Sequence, residues 1–514
     1  MLSLAFSAAM LGIEGYVVRV EADSAPGTPA FAIIGLPDRA LGEARERVRA
    51  AVINSGFAYP AGKLLVNLSP ADVRKAGPAF DLAIAFALMG IDEQIQLRAL
   101  REFILLGELA LDGQLQPVSG ILPMVLGARN AGFTKLIVPA ANAREAALVS
   151  GTELYPVDSL RSAVAVICGN GSQWRRAPVA QAAHDELAHG DLTDVRGQLA
   201  AKRALEIAAA GGHNLLLVGP PGCGKTMLAR RLPSILPPMT PDEALEVTKI
   251  YSVAGLLLGH AGIVGARPFR FPHHTISQTA LVGGGALARP GEISLAHHGV
   301  LFLDELPEFT RSAIEVLRQP LEEGTVTISR AAGTFTYPAR FQLVASMNPC
   351  PCGYRGTRSV ECRCDDALVA KYVSKLSGPL LDRIDLQIEI ARVPFDDMVS
   401  RGGGDRSATI RERVVAARDR QQRRFAETSF ACNADIPGSA MRRYCALDDA
   451  ALRLLGQASA KRQFSARALD RIARVARTIA DLAGENGIAR EHIAEAIQYR
   501  SLERLGELRN RVAV

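Results

Sequence analysis

Leu215–Val218 is a short apolar run that leads directly into Gly219-Pro220-Pro221-Gly222-Cys223-Gly224-Lys225-Thr226, and no other feature narrows the fold as much. An apolar run without alternation, bounded by glycine, reads as a strand buried on both faces of a parallel sheet. The glycines that follow leave backbone amides free to face a phosphate, with a helix N-terminus and its dipole behind them. At this spacing Lys225 reaches the outer phosphates of a nucleotide and Thr226 binds Mg²⁺. An α/β core that uses ATP with magnesium is therefore expected.

A second apolar run, Val300–Leu303, delivers Asp304 and Glu305 to the carboxyl end of a strand, which is where open α/β sheets bind ligands. Asp304 is assigned to the metal, through water, and Glu305 to polarising the attacking water. The strand-like run Phe341–Ala345 continues into Ser346-Met347-Asn348-Pro349, which puts the Asn348 amide beside the γ-phosphate as a sensor. Arg383, in Pro379-Leu380-Leu381-Asp382-Arg383-Ile384-Asp385, fits an arginine that stabilises transition-state charge on a neighbouring subunit's ATP, which demands a ring. Ser465-Ala466-Arg467 opens a helical run with Arg471, Arg474 and Arg477. Arg467 is expected to reach the nucleotide from that helical lid, although a solvated face would explain the same run.

With 514 residues, 48% hydrophobic and 22% charged, the chain has the balance of a folded protein and material for about three domains. No apolar run reaches the roughly 18 to 20 residues that span a bilayer, which argues against a membrane role. Met1 to Ile13 is apolar but lacks the basic flank and cleavage pattern of a signal peptide, so it is read as part of the fold and the protein as cytoplasmic. The net charge of +6 is concentrated in residues 401–514, with 22 Lys/Arg against 14 Asp/Glu. That surplus suits a polyanionic partner and equally suits solvated arginine faces.

Residues 1–169 alternate strand-like runs (Phe31–Ile34, Leu64–Asn67, Phe103–Leu106, Lys135–Val138) with helix-like ones (Arg39–Ile53, Phe80–Met89), giving an α+β domain. Residues 170–190 read as a linker, 191–398 as the nucleotide-binding core and 399–514 as an α-helical terminal domain that follows a glycine break at 402–404.

The motifs together resemble the ComM/YifB family of Mg-chelatase-like AAA+ ATPases along essentially the whole chain. The resemblance rests on Gly35-Leu36-Pro37-Asp38 with Arg45-Glu46-Arg47-Val48-Arg49-Ala50-Ala51, on the phosphate loop, on Phe271-Pro272-His273-His274-Thr275, on Gly291-Glu292-Ile293-Ser294-Leu295-Ala296-His297, on Leu301-Phe302-Leu303-Asp304-Glu305, on the paired Cys-x-Cys motifs and on Ala476-Arg477-Thr478-Ile479-Ala480-Asp481-Leu482. It implies a homo-hexameric ring and, as in ComM members, a helicase that drives branch migration of joint DNA molecules in natural transformation. Rings of this kind point loops into a central channel. Arg267 to His298 resembles the insert that supplies one such loop, and Thr325 to Phe341 reads as a hairpin carrying Arg330 and Arg340 as DNA-contact candidates, gripping phosphates without reading bases. The His pairs are read as packing and turn groups, since their spacing matches no metal-binding helix.

The first domain resembles the Lon-protease fold, of the ribosomal S5 domain 2-like type. The positions that would carry its serine and lysine are Ala79 and Leu122, so no peptidase activity is expected. Cys350, Cys352, Cys362 and Cys364 lie within one loop and suit a closed, structural zinc site, although the Cys-x-Cys spacing is also that of four reduced thiols. Two other functions fit the motor motifs: a protein-remodelling ATPase, and a chelatase subunit inserting Mg²⁺ into a porphyrin. For the latter, nothing in the sequence suggests a porphyrin pocket.

Overall fold

The computed structural model describes residues 2–73, 75, 77–92, 94–95, 97–169, 190–257, 262–285, 288–330, 333–357, 360–394 and 404–500. The linker expected at 170–190, except its last residue, lies outside them. So do Gly402 and Gly403 of the expected glycine break.

The N-terminal strands are β1 (Ser3–Leu11), β2 (Glu14–Ala25), β3 (Ala30–Ile34), β4 (Lys63–Ser69), β5 (Phe103–Leu105), β6 (Lys135–Pro139) and β7 (Glu153–Val157). They form one mixed sheet in the order β3-β4-β2-β1-β5-β6-β7. The long β1–β2 hairpin is antiparallel, and β1 runs parallel to β5. The packed helices are α1 (Ala44–Asn54), α2 (Asp81–Met89), α3 (Ile121–Asn130) and α4 (Leu160–Ile167). Every residue of α2 is buried, as expected of a helix apolar on all sides. The single helix expected over Arg39–Ile53 is instead two, Arg39–Gly42 and α1, interrupted at Glu43 just after the poor helix former Gly42. Ala79 and Leu122 are both buried and share one apolar cluster.

The core sheet is wholly parallel: β8 (Leu215–Val218), β9 (Phe269–Arg270), β10 (Val300–Leu303), β13 (Gln342–Met347) and β14 (Leu386–Glu389), in the order β9-β10-β13-β8-β14. Between β10 and β13 stands a separate antiparallel hairpin of β11 (Thr325–Arg330) and β12 (Gly333–Pro338). Every residue of β8, β10 and β13 is buried, which is why these stretches are apolar runs and not alternations. Helices α5 (Leu199–Gly211), α6 (Lys225–Ile235) and α7 (Pro241–Ala254) belong to this region. Helix α7 starts with a Thr240/Glu243 capping box and Pro241, and it ends at Gly255, whose φ of +76° suits only glycine without strain. It also joins the core to the N-terminal region. The Gly120 amide donates to the Ser252 carbonyl at 2.9 Å, and the Ser252 hydroxyl donates to buried Glu145.

The C-terminal region is helical: α8 (Ser407–Arg424), α9 (Asp449–Arg462), α10 (Ala466–Ala483) and α11 (Arg490–Gln498). In α10, Ala468, Ile472, Val475, Ala476 and Ile479 are buried at helical spacing, and they pack with α5 and α8 in one cluster. Part of the basic surplus seen in the sequence is spent on internal pairs. Arg413 pairs with Glu206, Arg424 with Asp481, Arg471 with Asp385 and Arg477 with Asp481, while Arg418 donates to the Ala209 carbonyl. These guanidiniums hold the helices to the core and to one another, so that part of the charge is not free for a polyanion. No described helix is long and apolar enough to cross a membrane.

Candidate nucleotide site and its surroundings

The carboxyl end of the core sheet brings the separated motifs together. After β8 the chain turns through Gly222 and Gly224, at φ +76° and +92°, into the N-terminus of α6. Lys225 Nζ donates to the carbonyls of Gly219 (2.7 Å) and Pro220 (3.0 Å) and to Asn348 Oδ1 (3.1 Å). Burial pulls this ammonium below the usual lysine range, against Cys223, Asp304 and Glu305. Thr226 Oγ1 donates to Asp304 Oδ2 at 2.7 Å, and the Ser346 hydroxyl donates to the other Asp304 oxygen. The hydroxyl and carboxylate assigned to magnesium are therefore neighbours, and hard oxygen donors of this kind suit that ion.

Glu305 has φ +53°, a left-handed conformation that costs a non-glycine residue roughly 1–2 kcal/mol. Its amide is held by Asp304 Oδ1 (3.1 Å) and Ser346 Oγ (3.4 Å), hydrogen bonds whose combined worth is of the same order as that strain. The carboxylate itself stays half-exposed, aimed out of the sheet, with His274 Nδ1 at 3.8 Å. His274 belongs to the strap Phe271-Pro272-His273-His274-Thr275. Phe271 anchors that strap on Phe302 of β10 with ring centroids 4.9 Å apart. Sequence reasoning treated this histidine as packing, because a short hairpin and β10 separate residues 274 and 305 in the chain and hide the contact.

The opposite, amino end of the same sheet holds the arginines. Arg383 lies just before β14, its carbonyl accepting from Asn214 Nδ2 at 2.8 Å, and its guanidinium meets Glu322 and the Pro379 carbonyl. Burial, Arg318 and Arg467 all push this guanidinium down from its usual range. Arg467 is exposed, with Asp382 at 3.7 Å. Arg383, Arg467, Arg471, Arg474, Arg267 and Arg340 line one cleft of about 1200 Å³. Strand β8 spans about 10 Å, so this cleft and the phosphate loop lie at opposite ends of the sheet. Arg467 thus stands with Arg383 at this cleft, away from its own chain's phosphate loop. Helix α10 packs behind the core on α5 rather than over the phosphate loop, and its first turn meets the Arg383 loop.

Beneath the cleft, His213 Nδ1 lies 3.2 Å from Asp385 and Nε2 lies 2.8 Å from Thr478 Oγ1, fully buried. Burial alone would raise the Asp385 carboxyl, but His213, Arg471 and Arg474 hold it at about 2. Nearby, His297 Nδ1 accepts from the Arg340 amide, which fixes its proton on Nε2 for donation to Glu246 at 3.0 Å. Burial, with His298 beside it, lowers His297 to about 4.

The two arginines named as DNA contacts do not lie together. Arg330 is exposed at the tip of the β11–β12 hairpin, opposite Gly333. Arg340 lies beyond the hairpin, since β12 ends at Pro338, which has no amide to donate to a further ladder rung. Its neighbour is the arginine cleft, so the hairpin expected over Thr325 to Phe341 ends three residues earlier, at Pro338. A second, smaller hairpin, Gly283–Gly284 with Arg289–Pro290, stands beside the first. A Cβ on Gly284 would come within 2.8 Å of Arg330 Nη2, and Tyr337 Oη donates to the Ala288 carbonyl at 2.7 Å. Exposed Arg289, missed in the sequence, thus belongs to the same surface as Arg330.

The four cysteines of the 350–364 loop come together with every pair of sulfurs within 4.8 Å.

Comparison with known proteins places this geometry in context. Residues 191–398 match the family described as magnesium chelatase, subunit ChlI; residues 20–142 match subunit ChlI of Mg-chelatase; and 404–500 match the ChlI C-terminal family. The chain is 44% identical over 513 residues to the competence protein ComM of Haemophilus influenzae, covering 98% of each. It is 45% identical over 511 residues to YifB of Escherichia coli, again covering 98% of each. Similarity to the magnesium-chelatase 67 kDa subunit of Chlorobaculum parvum is narrower, 29% over 164 residues, which is 31% of this chain and 23% of that one.

Proposed function

The chain belongs to the ComM/YifB family of Mg-chelatase-like AAA+ ATPases, and from that premise we propose that it is an ATP-driven hexameric motor on DNA, moving branch points in joint molecules. The observation that carries the proposal is the division of labour across the core sheet. One end gathers Lys225, Thr226, Asp304, Glu305 and Asn348; the other gathers Arg383, Arg467 and Arg471 with no phosphate cradle of their own. Two of the cleft arginines, Arg383 and Arg474, keep a buried Nε without an acceptor among the described residues. A neighbouring subunit's nucleotide supplies the anion such groups need, and a closed ring lets every subunit both give and receive.

Within the site, the loop amides and Lys225 bind the phosphates, and Asn348 senses the outermost one. Thr226 and Asp304 would hold magnesium, which neutralises charge on the phosphate oxygens. Glu305 orients the attacking water, and the neighbour's Arg383 stabilises charge on the phosphoryl oxygens as the bond to the leaving diphosphate breaks.

Arg330 and Arg289, on adjacent hairpins, grip DNA phosphates in the channel, so binding is indifferent to sequence and weakens steeply with salt. The link to joint molecules comes from the likeness to a competence protein. The purified chain with ATP and Mg²⁺ should resolve a synthetic four-way junction into its duplex products and should fail with a non-hydrolysable analogue. A protein that hydrolyses ATP in rings yet neither binds branched DNA nor is stimulated by it at low salt would instead be a remodeller of proteins.

A further inference from the structure

The 350–364 loop begins two residues after Asn348 and carries four thiols in a segment without helix or strand among its described residues. Cys350 Sγ lies 3.3 Å from Cys352 Sγ and 3.7 Å from Cys362 Sγ, and Cys352 lies 3.6 Å from Cys362. These separations are too long for any disulfide. They are close to the S···S edge of about 3.8 Å in a tetrahedron with Zn–S of about 2.3 Å. Backbone amides turn toward the sulfurs: Arg355 N lies 3.4 Å from Cys350 Sγ, and the amides of Tyr354 and Arg363 donate to Cys352. Such N–H···S bonds stabilise thiolates and orient them as ligands. Cys350 is fully buried against the core cluster that contains Val218 and Met347, the last residues of β8 and β13.

The same loop touches the phosphate loop. Gly353 has φ +85°, and a Cβ there would lie 2.6 Å from Pro221 Cδ and 3.8 Å from Asn348 Cγ. Only a bare backbone held at this place lets Pro221 pack against it. The loop has no hydrogen-bonded ladder to fix its path, so whatever ties the four sulfurs together also fixes the surface on which Pro221 rests.

We propose that Cys350, Cys352, Cys362 and Cys364 bind one zinc ion, and that the closed site forms a wall of the nucleotide pocket, so that metal occupancy sets ATP affinity. Four thiolates leave no open position for substrate, and zinc has no redox chemistry, so the ion holds the wall in place and takes no part in phosphoryl transfer. The coupling rests on the ATP-binding reading of the phosphate loop; the zinc site does not.

The test uses the full chain purified without chelators. Elemental analysis should find about one zinc per chain and no iron, and the protein should be colourless. A mercurial that titrates the thiols should release that zinc to a chromogenic indicator and weaken binding of a fluorescent ATP analogue about tenfold. Restoring the thiols with dithiothreitol and adding zinc should restore binding. Gly353→Ala should keep its zinc and still bind the analogue about tenfold more weakly; Cys362→Ser should lose the metal. If the cysteine variant does not fold, the wild-type metal content and Gly353→Ala still decide. Protein without zinc, or a coloured iron centre, overturns the metal assignment. Zinc-free protein that binds the analogue as tightly as before overturns the coupling. So would wild-type chain that carries zinc yet binds no ATP, an outcome that also removes the nucleotide reading.

Discussion

The two ends of the core sheet are built from the same strands but differ in completeness. At the carboxyl end, β8, β10 and β13 each finish on a residue or loop that meets another within hydrogen-bond distance: Lys225 holds Asn348, and the adjacent Thr226 holds Asp304. At the amino end, the Arg383 loop and the start of α10 gather cations over a wide cleft, with Glu322, Asp382 and Asp385 as partial partners. A nucleotide cradle is a local device, whereas a cluster of cations around an open cleft needs a partner to complete it. On the reading proposed above, the catalytic unit is the junction between two copies of the chain.

The strongest way to break this comparison is at Glu305. Glu305→Gln leaves the cradle untouched and should lower ATP turnover by about 10⁴-fold while nucleotide affinity is retained; wild-type turnover in a steady-state assay would remove Glu305 from its role. Arg383→Ala should cost about 10³-fold in turnover with rings still visible by light scattering. A loss of rings instead would make Arg383 an assembly residue.

The amino end should also be the more acid-sensitive. His297 is buried and neutral there, lowered from 6.5 to about 4, so between those values the unfolded chain binds more protons than the folded one. Its contribution is complete above pH 6.5 and is lost as pH falls toward 4, at most about 3 kcal/mol. His297→Gln, which keeps an acceptor for the Arg340 amide, should flatten the fall in denaturant midpoint over that window; an unchanged slope would mean that His297 is not the group that titrates.

The smallest effect belongs to the hairpins. Arg330→Ala should weaken junction DNA binding by about 1 kcal/mol and reduce the salt slope by about one unit, uniformly across sequences. An unchanged slope in a fluorescence-anisotropy titration would place the DNA elsewhere.

The same contrast explains what was readable in the chain. Leu215–Thr226 and Val300–Glu305 were legible because a buried strand running into a glycine loop or an acidic pair is written in contiguous residues, and β8 and β10 have the bounds that the apolar runs indicate. The hairpin at 325–338 was legible from its alternation. Contacts made across long loops were not. His274 meets Glu305 through an insert, and Arg471 meets Asp385 across two regions. Net charge left two readings open for a related reason, because Arg413, Arg424 and Arg477 answer buried acids that composition cannot locate. Arg340 illustrates a signal that was present and unused, since Pro338 already marks where the ladder must stop.

Mixing two inactive proteins tests the shared site most directly. Lys225→Ala chains lack a working cradle and Arg383→Ala chains lack the arginine, so each alone should be nearly inert. In mixed rings, some junctions pair the intact cradle of one chain with the intact Arg383 of the next, and ATP turnover should rise above both parents and peak at intermediate ratios. No recovery at any ratio, with mixed rings demonstrated by differential tagging, would mean that Arg383 acts within its own chain or only holds its fold, and the two-chain site would be wrong.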